Sequence, residues 1–340
     1  MKAAVLHQNN NFLTIEEVEL PLINDDEILV KVIACGVCHT DLHYIDHGVD
    51  TFQSKPVILG HEISGIVEDS KSEYFEIGDK VLLPAVYTCG ECSFCLKGRE
   101  NLCKNFTMLG NSINGGFAEY IKVKAKDSIK LPDSMLLEES CIIADAVSTP
   151  YYAVVHRAKV AKYENVLIVG CGGVGINAVQ IASMLGANVI ACDINDNKLK
   201  IAKELGAKHT VNLAKDDLKT FLKDNKITIN KAFEIIGQPK TIELAYKMLG
   251  VGGKLCIIGY TNQNININPA KIMFYEQEII GSCGCPPRIY PEIIELVEKG
   301  KLNLSKVINN KYSLDAVNKA FDELRSGKIL RNIILPNSKI

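Results

Sequence analysis

The hydrophobic rhythm of the chain changes near residue 165. Before that point "EILVKVIACG", "ISGIVEDS", "KVLLPAVYT" and "GGFAEYIKV" are short runs rich in β-branched residues. Each is bounded by Gly, Pro or Asp, and each predicts a strand. The run "LEESCIIADAVSTPYYAVVHRAKV" then has helical length and spacing, with an interruption predicted at Pro150. From 165 onward the strand candidates are "NVLIVG", "NVIACDI", "KHTVNL", "KAFEIIG", "KLCIIG" and "EIIGSC", and the helical segments "GINAVQIASMLG" and "DNKLKIAKELG" separate the earlier ones. Strands alternating with crossover helices predict an open parallel sheet covered on both faces. The tail adds two amphipathic helices, "YPEIIELVEKGKLNL" and "SLDAVNKAFDELRSGK", and a last strand, "RNIILP". The fold class is therefore α/β, a β-rich part followed by a doubly wound parallel sheet.

Length and charge narrow the functional classes. A chain of 340 residues favours two domains. The net charge of −2 carries no electrostatic footprint for nucleic acid or an anionic membrane, which points to a small-molecule partner. "MKAAVLHQNN" has no apolar leader and no run of eighteen apolar residues follows, so a cytoplasmic protein is expected. In a reducing compartment the twelve cysteines call for metal binding or catalysis rather than disulfides.

"VLIVGCGGVGINAVQIA" places Gly170, Gly172 and Gly175 in a G-x-G-x-x-G array, with Gly173 and Val174 inside the turn. The array follows a predicted strand, opens a predicted helix and precedes Asp193 at the end of the next strand, the context of a dinucleotide site. The helix N-terminus would receive the pyrophosphate. Asp193 would accept hydrogen bonds from the adenosine ribose, with Lys198 within reach of the same sugar. A carboxylate there repels a 2′-phosphate, so NAD is expected over NADP.

Two clusters suggest metal. Cys89, Cys92, Cys95 and Cys103 have the spacing C-x2-C-x2-C-x7-C, which suits a closed tetrahedral zinc site, with iron–sulfur ligation as the alternative. "CGVCHTDLH" holds Cys35 and Cys38, a C-x-x-C that reads either as a redox pair or as a buried thiol beside a ligand. "GHE" follows with His61 and Glu62. One Cys, one His and a third ligand would leave a zinc position open for substrate.

With these motifs in order, the sequence resembles the zinc-containing alcohol dehydrogenases of the medium-chain dehydrogenase/reductase family. "CGVCHTDLH", "GHE", the four-cysteine lobe, "GGFAEY", "GCGGVG" and "LRSGKILRNIIL" carry the resemblance over essentially the whole chain. It implies a GroES-like catalytic domain at 1–146 and 287–340, interrupted by a Rossmann domain at 147–286, with the active site in the cleft between them. It implies two zinc ions, one catalytic and one structural, and a homodimer or homotetramer formed through the sheet edge from "KLCIIGY" to "EIIGSC". Carried over by position, Cys38 and His61 are zinc ligands and Glu62 sits behind the metal. Thr40 takes the substrate proton and His43 passes it on through the cofactor ribose. His39 contacts the pyrophosphate, Thr149, Ile236 and Ile258 flank the nicotinamide, and Arg331 is a basic phosphate contact.

The chain departs from the family at the third ligand. Four residues before Thr149 stands Asp145 in place of the usual Cys or Glu, with Cys141 one turn earlier as the rival and Glu62 a further candidate. Where primary-alcohol members carry a bulky aromatic, four residues before the lobe's first cysteine, this chain has Ala85, which suggests a roomier pocket and a secondary or cyclic alcohol. "ILGHEISG", "LLPAVYTCGECSFC", "GNSINGGFA" and "ADAVSTPYYAV" are similar to 6-hydroxycyclohex-1-ene-1-carbonyl-CoA dehydrogenases, which oxidise a CoA-linked ring alcohol. A zinc-free quinone or enoyl reductase is the other alternative, and the cysteine lobe with Cys38 and His61 argues against it.

Overall fold

The computed structural model describes residues 1–338 and divides the chain into two compact units. The first comprises Met1–Ser148 and the tail from Cys285; the second is Thr149–Gly284.

The first unit is built on a mostly antiparallel seven-stranded sheet. Its spine is the long strand Glu27–Val37, which pairs with Glu62–Ser70 on one edge, with Arg331–Leu335 on the other, and with Tyr120–Lys124. The alternating run "EILVKVIACGV" buries almost every residue because both faces are covered. A smaller sheet centres on Lys2–Leu6, flanked by Thr14–Glu17 and Val57–Ile58. Phe117 and Phe321 meet edge to face, with ring centroids 5.7 Å apart, inside the core the sheets share.

Register on the spine strand places the chemistry. Gly36 lies opposite Glu62, and Cys35 opposite Ile63. A Cβ on Gly36 would stand 1.9 Å from Glu62 Oε2, so glycine is what admits the carboxylate against the strand. At the strand's end the chain turns at Cys38 into helix α1, His39–Asp46.

The second unit is a six-stranded, all-parallel sheet. Its order is His209–Asn212, Asn188–Asp193, Asn165–Val169, Ile229–Glu234, Leu249–Ile257 and Glu278–Gly281. This doubly wound order reverses between Asn165–Val169 and Ile229–Glu234, and the crevice beyond the carboxyl ends of those strands is the ligand position for the topology.

Three expectations change in detail. "KVLLPAVYT" is two strands, Lys80–Leu83 and Val86–Tyr87, because Pro84 cannot donate to a ladder. The strand read in "GGFAEYIKV" begins only at Tyr120. The helical run near 137–160 breaks at Asp145 rather than at Pro150. Leu137–Ser140 is α-helical, Cys141–Ala144 is a 3-10 turn, and Pro150 sits in the first turn of Ser148–Tyr151, where its missing N–H costs nothing. The strand Ile308–Ser313 and the helices Leu218–Asp224, Pro239–Lys247 and Pro269–Phe274 are additional to the elements read from the sequence.

Gly36→Ala is expected to destabilise the chain by about 2–3 kcal/mol through overpacking against Glu62. Urea unfolding measures this, and a midpoint equal to the parent's would show that the carboxylate is not confined by the strand.

Candidate metal and dinucleotide sites

Three side chains from separate segments converge in the first unit. Cys38 caps α1, His61 precedes the strand Glu62–Ser70, and Asp145 ends the 3-10 turn in an irregular conformation at φ −143° and ψ −55°. Asp145 Oδ2 lies 3.7 Å from Cys38 Sγ and 3.6 Å from His61 Nε2, and one donor atom from each residue falls within 4.8 Å of the others. Ligand atoms around a tetrahedral zinc are roughly 3.3–3.8 Å apart for bonds of about 2.0–2.3 Å, so the set fits one ion. Cys38 and His61 are buried and Asp145 is partly exposed, so the donors are reachable from one side.

Asp41 organises this pocket. Its carboxylate is fully buried; Oδ2 accepts from Cys38 N–H at 3.1 Å and Oδ1 from Gly60 N–H at 3.3 Å. Oδ1 also stands 3.5 Å from His61 Nδ1, too long for a formed hydrogen bond but a direct charge contact. A carboxylate behind a histidine ligand fixes the ring and its tautomer. Burial works against a protonated His61, yet Asp41, Asp145 and Cys38 together hold its pKa well above the ordinary value. Glu62, fully buried, is pushed up to about 7 by burial, with Arg331 opposing the shift. Side chains that accumulate this much negative charge around an imidazole are the donor chemistry of a divalent-cation site.

The rivals for the third position point elsewhere. The Cys141 thiol is fully buried, donates to Glu138 O at 3.5 Å, and has its pKa raised by burial. Glu62 Oε1 accepts from Ala146 N–H at 2.9 Å and faces Arg331 at 3.6 Å. Among the described residues, the convergent donor set contains Asp145 and neither of these.

Arg331 differs from its expected placement. Its guanidinium is 2% exposed, donates to Val37 O at 2.9 Å and pairs with Glu62. Burial opposes its charge, but Glu62 and Cys38 hold it more firmly protonated than usual. It is a buried counter-ion at the back of the metal pocket, placed there by the register of Arg331–Leu335 against the spine strand. Thr40 Oγ1 lies 3.6 Å from Cys38 Sγ, His43 is half-buried one turn further along α1, and His39 is exposed at the helix start.

The lobe cysteines form the second cluster. Sγ separations are 3.9 Å for Cys89–Cys95, 3.5 Å for Cys92–Cys95, 3.9 Å for Cys92–Cys103 and 3.4 Å for Cys89–Cys103. Such a cage admits one ion with metal–sulfur bonds of about 2.3 Å and is too small for a multi-iron cluster. Backbone N–H groups of Cys95 and Lys104 aimed at Cys92 lower its thiol to about 6, which favours the thiolate that metal needs.

In the second unit, Gly170 at φ +98° turns the chain from strand Asn165–Val169 toward helix Gly173–Met184. A Cβ on Gly175 would fall 1.8 Å from Gly170 O, whereas one on Gly172 would meet nothing within 4 Å, leaving open space over the turn. Val174 lies in the helix's first turn. Asp193 closes the next strand; Oδ2 accepts from Cys171 N–H at 2.8 Å and Oδ1 from Asn195 N–H at 2.9 Å. Lys198, nine-tenths buried, lies in the first turn of Asp196–Glu204. Thr149 is buried, Ile258 half-buried and Ile236 exposed.

Two organising acids were not singled out in the sequence. Asp41 carries a faint signal, an acid three residues after Cys38 in the manner of a capping box. Glu234 shows only as an acid inside an apolar strand. It is fully buried; Oε1 accepts from Ile236 N–H, Gly237 N–H and Thr241 Oγ1, while its backbone carbonyl accepts from Ile258 and Gly259.

Comparison with known proteins bears on both sites. The family model described as the alcohol dehydrogenase GroES-like domain matches residues 24–133, and the zinc-binding dehydrogenase model matches 173–299. An alcohol dehydrogenase of Geobacillus stearothermophilus is 36% identical over 340 aligned residues, covering 98% of this chain and 99% of its own. The alcohol dehydrogenase of the hyperthermophilic archaeon Aeropyrum pernix superposes with a TM-score of 0.91 at 32% identity, covering 99% of this chain and 100% of its own. A zinc-binding dehydrogenase of Sinorhizobium meliloti, solved bound to NADP, superposes at 0.92 with 26% identity over 98% of this chain and 99% of its own.

Asp145→Ala should lower the zinc content from two ions per chain to one, the remaining ion belonging to the cysteine lobe. Elemental analysis of the purified variant gives the count, and two ions would remove Asp145 from the ligand set.

Proposed function

Because the chain belongs to the zinc-dependent alcohol dehydrogenases of the medium-chain dehydrogenase/reductase family, we propose that it oxidises a secondary or cyclic alcohol with NAD. That it is an NAD(P)-linked, zinc-using alcohol dehydrogenase follows from the family and its relatives. The observation that carries it is the convergence of Cys38, His61 and Asp145 in one half-open pocket.

When bound, zinc supplies Lewis acidity toward the alcohol oxygen and the nicotinamide supplies the hydride acceptor. The protein's own part is to hold and move groups. Cys38, His61 and Asp145 are the ligands, and Asp41 orients His61 through Nδ1. Thr40, beside Cys38, takes the hydroxyl proton, and His43 carries it outward. Glu62 and Arg331 balance charge behind the donors. The turn of Gly170, Gly172, Gly173, Val174 and Gly175 seats the pyrophosphate against the helix N-terminus. Thr149, Ile236 and Ile258 border the nicotinamide.

Asp193 supports NAD. Its two backbone partners hold the carboxylate in one pose at the strand end, where it repels a ribose 2′-phosphate. Ala85, a small side chain where primary-alcohol members of the family carry a bulky aromatic, supports the choice of a secondary or cyclic alcohol. The exposed Val251, Met273 and Phe274 beside the edge strand Glu278–Gly281 support a homo-oligomer joined at that edge. The clustered thiols Cys89, Cys92, Cys95 and Cys103, offered as metal ligands, support a cytoplasmic setting.

The test is NADH formation from primary, secondary, cyclic and CoA-linked ring alcohols. Secondary or cyclic alcohols should exceed primary ones by roughly tenfold or more in kcat/KM, with NAD preferred to NADP. Oxidation of the CoA-linked alcohol alone would move the chain to that branch, and an NADP preference would overturn the role given to Asp193. Thr40→Val should reduce kcat by about a hundredfold with both zinc ions retained; an unchanged rate takes Thr40 out of the proton path.

A further inference from the structure

Thr40, His43 and His47 stand at i, i+3 and i+7 along α1 and its C-cap, so they share one helix face. Exposure rises along that face. Cys38 is buried, Thr40 and His43 are half-buried, and His47 is exposed. His43 Nδ1 and His47 Nδ1 are 3.0 Å apart, with ring centroids 5.2 Å apart and planes inclined by 50°. At that distance two ring nitrogens hold a single proton between them, one ring donating and the other accepting. The i, i+4 spacing makes the contact a property of the helix itself, and His47 N–H donating to His43 O at 3.3 Å closes the last turn around it.

From this geometry we infer that His47 is a second proton station, which takes the proton from His43 and hands it to water. The inference rests on the alcohol-oxidation reading above. In the step, a proton arriving at His43 Nε2 forms a new N–H bond there. The N–H bond at His43 Nδ1 breaks as one forms at His47 Nδ1, and His47 then releases its Nε2 proton to water or a buffer base. No electrons move; the hydride has gone to the nicotinamide, and one proton per alcohol reaches solvent. Exchange with water restores the starting tautomers, and carbonyl reduction runs the same path inward.

The gradient favours outward transfer. Burial, reinforced by the neighbouring His47, lowers the proton affinity of His43. His47 stands exposed at the C-terminal end of α1, where solvent reaches its ring. The other ionisable groups at that end are committed to partners. Asp46 pairs with Arg325 at 2.8 and 2.9 Å, Arg325 also holds Asp322 at 2.7 Å, and Lys55 donates to Tyr44 O. His47 acts through His43 and touches neither substrate nor cofactor, so its signature is in proton delivery rather than binding.

The test uses the zinc-loaded enzyme with a secondary alcohol and NAD, and compares the parent with His47→Ala and His47→Gln. NADH absorbance and the colour of a pH indicator are followed together in dilute buffer, and a dimethylated imidazole, too hindered to ligate metal, is then added. Turnover of both variants should fall about tenfold in dilute buffer. Proton appearance should lag NADH formation, and the added base should restore both, with KM and zinc content unchanged. Parent-like turnover in dilute buffer, or a loss that the added base does not recover, overturns the inference. A parent that forms no NADH from any alcohol instead removes the functional reading on which the inference stands.

Discussion

The buried carboxylate of Asp41 is the constraint on which the metal pocket depends. It joins two segments distant in sequence, the end of the spine strand with the start of α1, and the turn before Glu62–Ser70. Removing such a group from water costs several kcal/mol unless donors replace the solvent; two backbone N–H groups do so, and the His61 ring adds a charge contact at 3.5 Å. The geometry needs a side chain of this length and charge. A glutamate would carry its oxygens past both N–H groups, and an asparagine would turn a donor toward one of them. The segments that carry Cys38 and His61 are therefore tied together by contacts that do not involve the metal. This preorganisation is what a site with one open corner requires, because the substrate side offers no protein ligand to hold it in shape.

Charge extends the same logic one layer back. Cys38, Asp41, Glu62 and Asp145 bring potential negative charges into a small volume, and Arg331 brings a permanent positive one. The upward shifts of His61 and Glu62 have this surplus among their causes. A divalent cation at the donors is the counter-charge that fits the set. Arg331 is thus fixed as much by the neutrality of the pocket as by any ligand, and its burial between Glu62 and Val37 O follows from that.

Much of this is visible in the sequence as residue types at spacings. Parallel strands, the glycine turn and the two clusters show because each obeys a short periodic or motif rule. The less legible parts depend on breaks in periodicity. A continuous helix would put Cys141 and Asp145 on one face, and no pattern chooses between a thiol and a carboxylate there. The chain decides by leaving α-helical geometry: the 3-10 turn Cys141–Ala144 buries the thiol toward Glu138 O, and the irregular φ of Asp145 sends its carboxylate to the other donors. Pro150 looked like the breaker, yet a proline in a first turn is compatible with a helix, so the break had to come from tertiary contacts instead. Arg331 shows the limit from the other side. Its placement depends on which strand its own strand pairs with, a long-range fact that local pattern does not contain.

The second unit repeats the device found at Asp41. Glu234, at the carboxyl end of its strand, spends its side chain on the loop that follows, and its carbonyl on the first residues after the neighbouring strand. Both loops leave the sheet on the crevice side of the doubly wound order, where the topology puts a bound dinucleotide. A loop at a strand end gains little from ladder hydrogen bonds and would otherwise fluctuate. A buried acid receiving several N–H groups substitutes for the missing ladder and costs little once its acceptors are filled. Each unit thus has a fully buried carboxylate, Asp41 in the first and Glu234 in the second, that ties a loop to a regular element. Loop precision in this protein is electrostatic in origin, supplied by short anionic side chains anchored on rigid strands or helices, and that explains why Asp41 and Glu234 take no part in the periodic patterns that define the rest of the fold.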